Sequence, residues 1–210
     1  RIFEKIFKDT EKSNKPTDPQ YIKRIAENIK SELVKQIKKD GEALAKELGF
    51  ADLHPEIKQV MGSLRYRYSY TQNQYFHCGE VGWFASLLAS ELKLDIKKAK
   101  RAGLLHDLGK ALDHQFDGSH AVIGADFIAE RNESPEVIQA VRAHHYDVQP
   151  SQDIDFIIIA ADAISGGRPG ARRSTMETYN QKVSGLQEIA RRFKGVTDIF
   201  VLNGGRECRV

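Results

Sequence analysis

Gly103-Leu104-Leu105-His106-Asp107-Leu108-Gly109-Lys110 decides how this chain is read. An apolar helix runs into an imidazole and a carboxylate placed side by side. Adjacent side chains on a helix point about a quarter-turn apart. They converge on one ion when that ion sits at the helix end. An isolated His-Asp pair on a surface carries little information, so the weight falls on the other histidines.

The chain holds seven histidines. Five of them, His77, His106, His120, His144 and His145, fall at helix starts, helix ends or apolar helix faces. Asp107 adjoins one of them, and Asp162 lies inside the apolar segment Ile154–Ile164. An ionised carboxylate buried without a partner is costly, so Asp162 is expected to meet a cation. Nitrogen and carboxylate donors without thiolate suit Zn²⁺, Mn²⁺, Fe or Ni better than Ca²⁺. Two ions about 3.5–4 Å apart, bridged by a carboxylate, would use this many ligands.

Working outward, Pro19 follows Asp18, an N-cap with Pro in the first turn. Ile22, Ile25, Ile29, Leu33, Ile37, Leu44 and Leu48 then recur every three or four residues, which predicts a long amphipathic helix with a narrow apolar stripe. Further helices are predicted from His54-Pro55 to Leu64, Gln72 to Leu92, Ile96 to His106, Gly118 to Glu130, Glu136 to His145, Ile154 to Ile164 and Thr175 to Phe193. The period changes to two only at Val196–Leu202 and Arg206–Val210, around Gly204-Gly205, a β-hairpin pattern. Arg65-Tyr66-Arg67-Tyr68-Ser69-Tyr70 alternates basic and aromatic residues. It fits either a stacking surface for single-stranded nucleic acid or tyrosines packed under solvated arginines. Arg168–Arg173 is a basic loop broken by Pro and Gly, suited either to clamping phosphates or to plain solvation.

Composition narrows the classes. A chain of 210 residues with 40% hydrophobic and 29% charged content can bury a core and does not read as disordered. A net charge of +3 is too mild to argue for nucleic acid alone. Cys78 and Cys208 form no disulfide framework and no Cys-x-x-Cys pair, against a thiolate zinc site. No apolar run reaches the length of a membrane span, so no membrane contact is expected from this stretch. Arg1 stands where a Met would begin a chain, and a fragment is expected.

The order His77, His106-Asp107, Asp162 on successive helices resembles the HD-domain metal-dependent phosphohydrolases, and His120 with His144-His145 resembles the members that hold two metals. A narrower resemblance is to ribonuclease Y. Leu53–Glu56, Ser69–Asn73, Arg101–Ala111, Gly118–His120, Arg168–Arg173 and Gly205–Val210 carry it. It departs at Cys78-Gly79-Glu80-Val81-Gly82 and at Gly166-Gly167, neither of which touches an expected ligand. The resemblance implies a mainly α fold, an HD-domain helical bundle with a small C-terminal β-hairpin. It divides the chain into residues 1–17 (the tail of a KH-like domain, or a linker), the long helix 18–52, the HD domain 53–180, and 181–210 with the hairpin.

It also implies a metal-dependent endoribonuclease acting on single-stranded RNA, initiating mRNA decay, with one or two divalent ions (Mn, Mg or Zn). His77, His106, Asp107 and Asp162 would hold the first metal, with Asp107 bridging to a second at His120, His144 and His145. His106, Asp107 and Lys110 would carry the chemistry, and Arg168, Arg172 and Arg173 would bind RNA. A homodimer, partners in an RNA-decay complex and a cytoplasmic location are implied too, the intact protein being anchored on the inner face of the membrane. Competing expectations are a phosphohydrolase of nucleotides or cyclic dinucleotides, and a dimerisation or scaffold module.

Overall fold

The computed structural model describes residues 8, 19–112, 118–168, 171, 176–202 and 207–210. They form two compact units, Arg1–Arg168 and Pro169–Val210. The segment 1–17 read as a domain tail or linker falls outside the described residues except for Lys8, and the Asp18 cap falls outside altogether.

The first unit opens with α1 (Pro19–Glu47). Its stripe is used unevenly. Ile29, Leu44 and Ala45 are buried, whereas Ile22 near the start remains exposed. Next comes α2 (Pro55–Ser63), where His54 Nδ1 accepts from the Glu56 amide and Pro55 fits the first turn. A 3₁₀ turn, Leu64–Tyr66, leads into a small hairpin of β1 (Tyr68–Ser69) and β2 (Gln72–Asn73), with Tyr68 opposite Asn73 and Ser69 opposite Gln72.

This hairpin corrects the expected helix start at Gln72. The following helix, α3 (Gln74–Glu91), begins two residues later because the Asn73 side chain caps it by accepting from the Tyr75 amide. Tyr70 and Thr71 carry the turn at φ 49° and 68°, the left-handed pair that a two-residue hairpin needs. Neither is Gly or Asn, so the usual turn signal is missing.

Asp95 caps α4 (Ile96–Leu105) by accepting from the Lys98 amide at 2.9 Å. A 3₁₀ turn, Leu108–Ala111, precedes α5 (His120–Ala129), capped by the Ser119 hydroxyl. Then come α6 (Pro135–Ala143) and α7 (Asp153–Gly167), the latter opened by a reciprocal Gln152–Asp155 capping box. The segment around Asp162 is thus the helix that the sequence predicts. It is buried on one side only: Ile157, Ile158 and Ala161 are inside, and Phe156 and Ile164 face solvent.

One apolar core joins these elements. Leu44 and Leu48 meet Ile57, Met61 and Leu64, then Val81 and Ala85 of α3, Leu104 and Leu105 of α4, Ile128, Val141 and Ile158. Each fully buried Leu or Ile contributes roughly 1.5–3 kcal/mol relative to exposure. At the α3–α4 crossing a Cβ on Gly103 would stand 2.8 Å from the Val81 carbonyl oxygen and 3.0 Å from Gly82 Cα, so a side chain there would push the helices apart.

The second unit contains α8 (Met176–Arg191) and an antiparallel pair, β3 (Phe200–Leu202) with β4 (Glu207–Arg209). Val201 stands opposite Cys208. The mainly helical architecture and the closing hairpin match the sequence expectation. No helix among the described residues is long and apolar enough to cross a membrane.

Candidate metal centre

His106 is the residue that ends α4, still with helical backbone angles, and Asp107 leaves the helix at φ −104°, ψ 13°. That change of direction turns the carboxylate into the interior. The next turn is then pressed against the start of α5. A Cβ on Gly109 would lie 1.9 Å from the His120 carbonyl oxygen, so only glycine allows the approach that brings His120 to Asp107. His77 comes from the first half of α3, His144 and His145 from the end of α6, and Asp162 from α7.

All seven expected ligands come together. Asp107 divides them. Its Oδ2 lies 3.4 Å from His77 Nε2 and 3.3 Å from His106 Nε2, while its Oδ1 lies 3.3 Å from His120 Nε2 and 3.7 Å from His144 Nε2. Asp162 Oδ1 stands 3.0 Å from His77 Nε2 and 3.9 Å from His106 Nε2. The potential ligand atoms form two sets that share Asp107: His77, His106 and Asp107 in one, and Asp107, His120, His144 and His145 in the other. His77, His106, Asp107 and His144 are at most 2% exposed, and His145 lies at the open edge.

The Nε2 atoms of His77, His106, His120 and His144, and Oδ1 of Asp107, are buried and make no hydrogen bond. They are close to one another at poor angles, the pattern of atoms aimed at shared points rather than at each other. The other ring nitrogens explain the direction. His106 Nδ1 lies 2.8 Å from the Gly103 carbonyl oxygen, and His144 Nδ1 lies 2.6 Å from that of Val141. A carbonyl can only accept, so each Nδ1 carries the proton and each Nε2 presents a lone pair inward. Buried, unpaired nitrogen and oxygen lone pairs around a carboxylate fit a divalent cation.

The electrostatics agree. Burial alone would raise the pKa of Asp107, but the imidazoles of His106, His120 and His144 outweigh it and hold the carboxyl well below its usual range. Asp162 is held down as well, with burial opposed by His77 and His106. Burial works against a charged His77, yet Asp107 and Asp162 prevail and raise its pKa. Desolvation, then the neighbouring His144 and His120, push His145 down to about 3, which leaves its ring neutral and able to donate a lone pair. Cys78 is buried and its thiol is pushed well up, first by burial and then by Asp107, so it stays protonated.

Lys110 Nζ bonds Asp107 Oδ2 at 2.5 Å and Gln74 Oε1 at 3.1 Å. Arg168 is paired with Glu80 while its side chain stays 41% exposed. Arg172 and Arg173 lie outside the described residues. Four residues at the centre were not foreseen in the sequence: Gln72, Gln74, Glu80 and Ser165. For two of them a signal exists. Glu80 follows His77 by three residues and Ser165 follows Asp162 by three, spacings that keep each pair on one helix face.

The model of the HD domain family matches residues 75–167, a span enclosing all seven candidate ligands. This stretch is an HD domain. Along its full length the chain is a homologue of part of ribonuclease Y. It is 66% identical over 210 residues to "Ribonuclease Y 2" of Bdellovibrio bacteriovorus, covering 100% of this chain and 39% of that protein. It is 47% identical over 192 residues to "Ribonuclease Y" of Geobacter metallireducens, covering 91% of this chain and 37% of the relative. The chain therefore spans well under half the length of these relatives. A solved HD superfamily hydrolase from an uncultured Thermotogales bacterium is similar at 22% identity and a TM-score of 0.44, over 65% of this chain and 91% of that one.

Proposed function

We propose that this chain is the hydrolytic part of a metal-dependent endoribonuclease that cuts single-stranded RNA and initiates mRNA decay. The observation that carries the reading is the pair of ligand sets sharing Asp107, with their Nε2 lone pairs turned inward. The HD domain and the ribonuclease Y relatives support phosphodiester chemistry and an RNA substrate.

In this reading His77, His106, Asp107 and Asp162 hold one divalent ion, and Asp107, His120, His144 and His145 hold a second. When bound, such ions act as Lewis acids and make water acidic enough to ionise near neutral pH. The chain's own residues do the rest. The Nδ1–H donors of His106 and His144 keep their rings from turning. Lys110 stands beside the Asp107 carboxylate, where an ammonium meets negative charge on a phosphoryl group. Arg168, Arg172 and Arg173 follow Asp162 closely in the chain and suit flanking phosphates. With water as nucleophile the bond from phosphorus to the 3′ oxygen breaks, leaving a 5′-phosphate and a 3′-hydroxyl. A single strand suits a site set among helices, because a duplex is bulky.

By the same relationship we read residues 1–17 as the end of a KH-like domain or a linker, 18–52 as a helical arm, 53–180 as the HD unit and 181–210 as the closing segment. The intact protein would be a homodimer anchored on the inner face of the membrane, working in the cytoplasm with RNA-decay partners.

The test is cleavage of a 5′-labelled single-stranded RNA with Mn²⁺ or Mg²⁺ added or chelated, beside matched DNA, a cyclic dinucleotide and the Asp107→Ala variant. Metal-dependent cutting of RNA, lost in the variant, is the expected result. Turnover of the cyclic dinucleotide with RNA left intact would replace this reading by a nucleotide phosphohydrolase. RNA binding and self-association without metal uptake or cutting would replace it by a scaffold.

A further inference from the structure

His77 differs from the other buried ligands. His106 and His144 are oriented by backbone carbonyls, which can only accept a proton. His77 Nδ1 instead lies 2.9 Å from the Ser165 hydroxyl, a group that can donate or accept. Its tautomer therefore depends on what else Ser165 touches.

Ser165 is fully buried, and its bonds can be counted. A hydroxyl offers one proton and two lone pairs. Ser165 Oγ lies 2.9 Å from Glu80 Oε2, and a carboxylate only accepts, so the hydroxyl proton goes to Glu80. Gln72 Nε2 donates to Ser165 Oγ at 3.2 Å and takes one lone pair. One lone pair remains for His77, so His77 Nδ1 carries a proton, and in the neutral ring that a cation requires Nε2 is the bare nitrogen. Arg168 closes the chain: its Nε donates to Glu80 Oε2 at 3.1 Å and its Nη2 to Glu80 Oε1, which holds that carboxylate in place.

We propose that Glu80 and Ser165 are positioning residues that set the tautomer of His77, and so present its Nε2 lone pair to a divalent cation between Asp107 and Asp162. The inference rests on the metal reading above. Without Glu80 the Ser165 hydroxyl is free to donate to His77 Nδ1. The ring proton then moves to Nε2, pointing at Asp162 where the cation belongs. Without Ser165 the Nδ1–H has no acceptor, and the same inverted tautomer is favoured. The relay also ties two further parts of the unit to one metal ligand: the small hairpin through Gln72, and the end of α7 through Arg168.

The experiment is calorimetric titration of Mn²⁺ into the metal-free protein and into Glu80→Ala, Glu80→Gln, Ser165→Ala and the Glu80→Ala/Ser165→Ala double variant. Thermal unfolding of each metal-free form checks that it folds. Glu80→Ala and Ser165→Ala should each weaken Mn²⁺ binding about 10–100-fold. Glu80→Gln should regain most of the loss, since its carbonyl oxygen still accepts from Ser165. The double variant should bind no more weakly than the weaker single one, because both substitutions break one chain. Wild-type affinity in the two alanine variants, or a double loss equal to the product of the single losses, would overturn the relay while leaving the metal centre standing. A wild-type protein that takes up no Mn²⁺ overturns the metal reading and this inference with it. Glu80 is part-exposed on α3, so its variants report on the relay even if Ser165→Ala fails to fold.

Discussion

Asp107 is shared by two ligand sets, and that sharing makes its removal more damaging than the loss of any one histidine. Asp107→Ala is expected to empty both sets and to lower RNA cleavage by at least about 10³-fold, since a metal contributes several kcal/mol to the barrier. Metal content by mass spectrometry checks the first part, and a retained metal with full activity would remove Asp107 from the site. His120→Ala belongs to one set only and should reduce the stoichiometry without emptying the site. Lys110→Ala should keep the metal and slow cleavage, since its ammonium competes for Asp107 Oδ2 rather than supporting the ion. The pH dependence follows from opposed shifts. Depressed Asp107 and Asp162 contribute stability that is present above the ordinary carboxylate pKa and lost only as pH falls through their folded values. Raised His77 contributes stability that is present below the ordinary imidazole pKa and lost as pH rises through its folded value. His145, pushed down to about 3, works the other way, since its neutral ring loses stability as pH falls through the ordinary imidazole pKa, so the metal-free protein should show little net change in melting point between about pH 6 and about pH 8. Added Mn²⁺ should raise the melting point more at about pH 8 than at about pH 6, because ligands must shed protons to bind. Melting curves at both values, with and without metal, decide this.

At the scale of elements, the sequence was most legible where periodicity and caps coincide. Asp95 before Ile96 and Pro135 after Ser134 mark helix starts that the structure keeps, whereas the helix expected from Gly118 starts at His120, where the Ser119 hydroxyl caps it. The stripe of α1 was legible as well, but not where along it the burial would lie, since that depends on which neighbours reach it. The β1–β2 hairpin was not legible, because its turn is carried by Tyr70 and Thr71 rather than by glycine. The seven candidate ligands could be singled out from their residue types and their places on helix ends and apolar faces, and the family resemblance assigned their roles. Gln72 and Gln74 could not, because Gln is ordinary on helices and hairpins, and for Glu80 and Ser165 the spacing of three from His77 and Asp162 was the whole of the signal. Their role exists only once α3, α7 and the hairpin are brought together. One element-level prediction concerns the pressed turn. Gly109→Ala places a methyl against the His120 backbone and should cost about 1–3 kcal/mol or more, as overpacking does. It should also move His120 away from Asp107. Denaturant unfolding measures the cost, and a fall in bound metal at low concentration measures the displacement. Unchanged values for both would mean that the turn yields freely.

Across the whole molecule the candidate ligands are spread over α3, the end of α4, the start of α5, the end of α6 and α7, so a bound metal would stabilise the fold and the fold the metal site. Mn²⁺ at about 100 times its Kd should add about 2.7 kcal/mol, which for a chain of this size raises the melting point by several degrees. A shift no larger than Mn²⁺ gives to Asp107→Ala would sever that link. The ligand order carries a further consequence. An ion held by His77 and Asp162 joins positions near the two ends of the HD match and closes the intervening chain into loops, as a removable staple would. Stripping it with a chelator would free those loops to open independently. Proteases should then nick the segments between the candidate ligands long before the apolar core comes apart, so that a chain stripped of a bound ion would be marked for disposal.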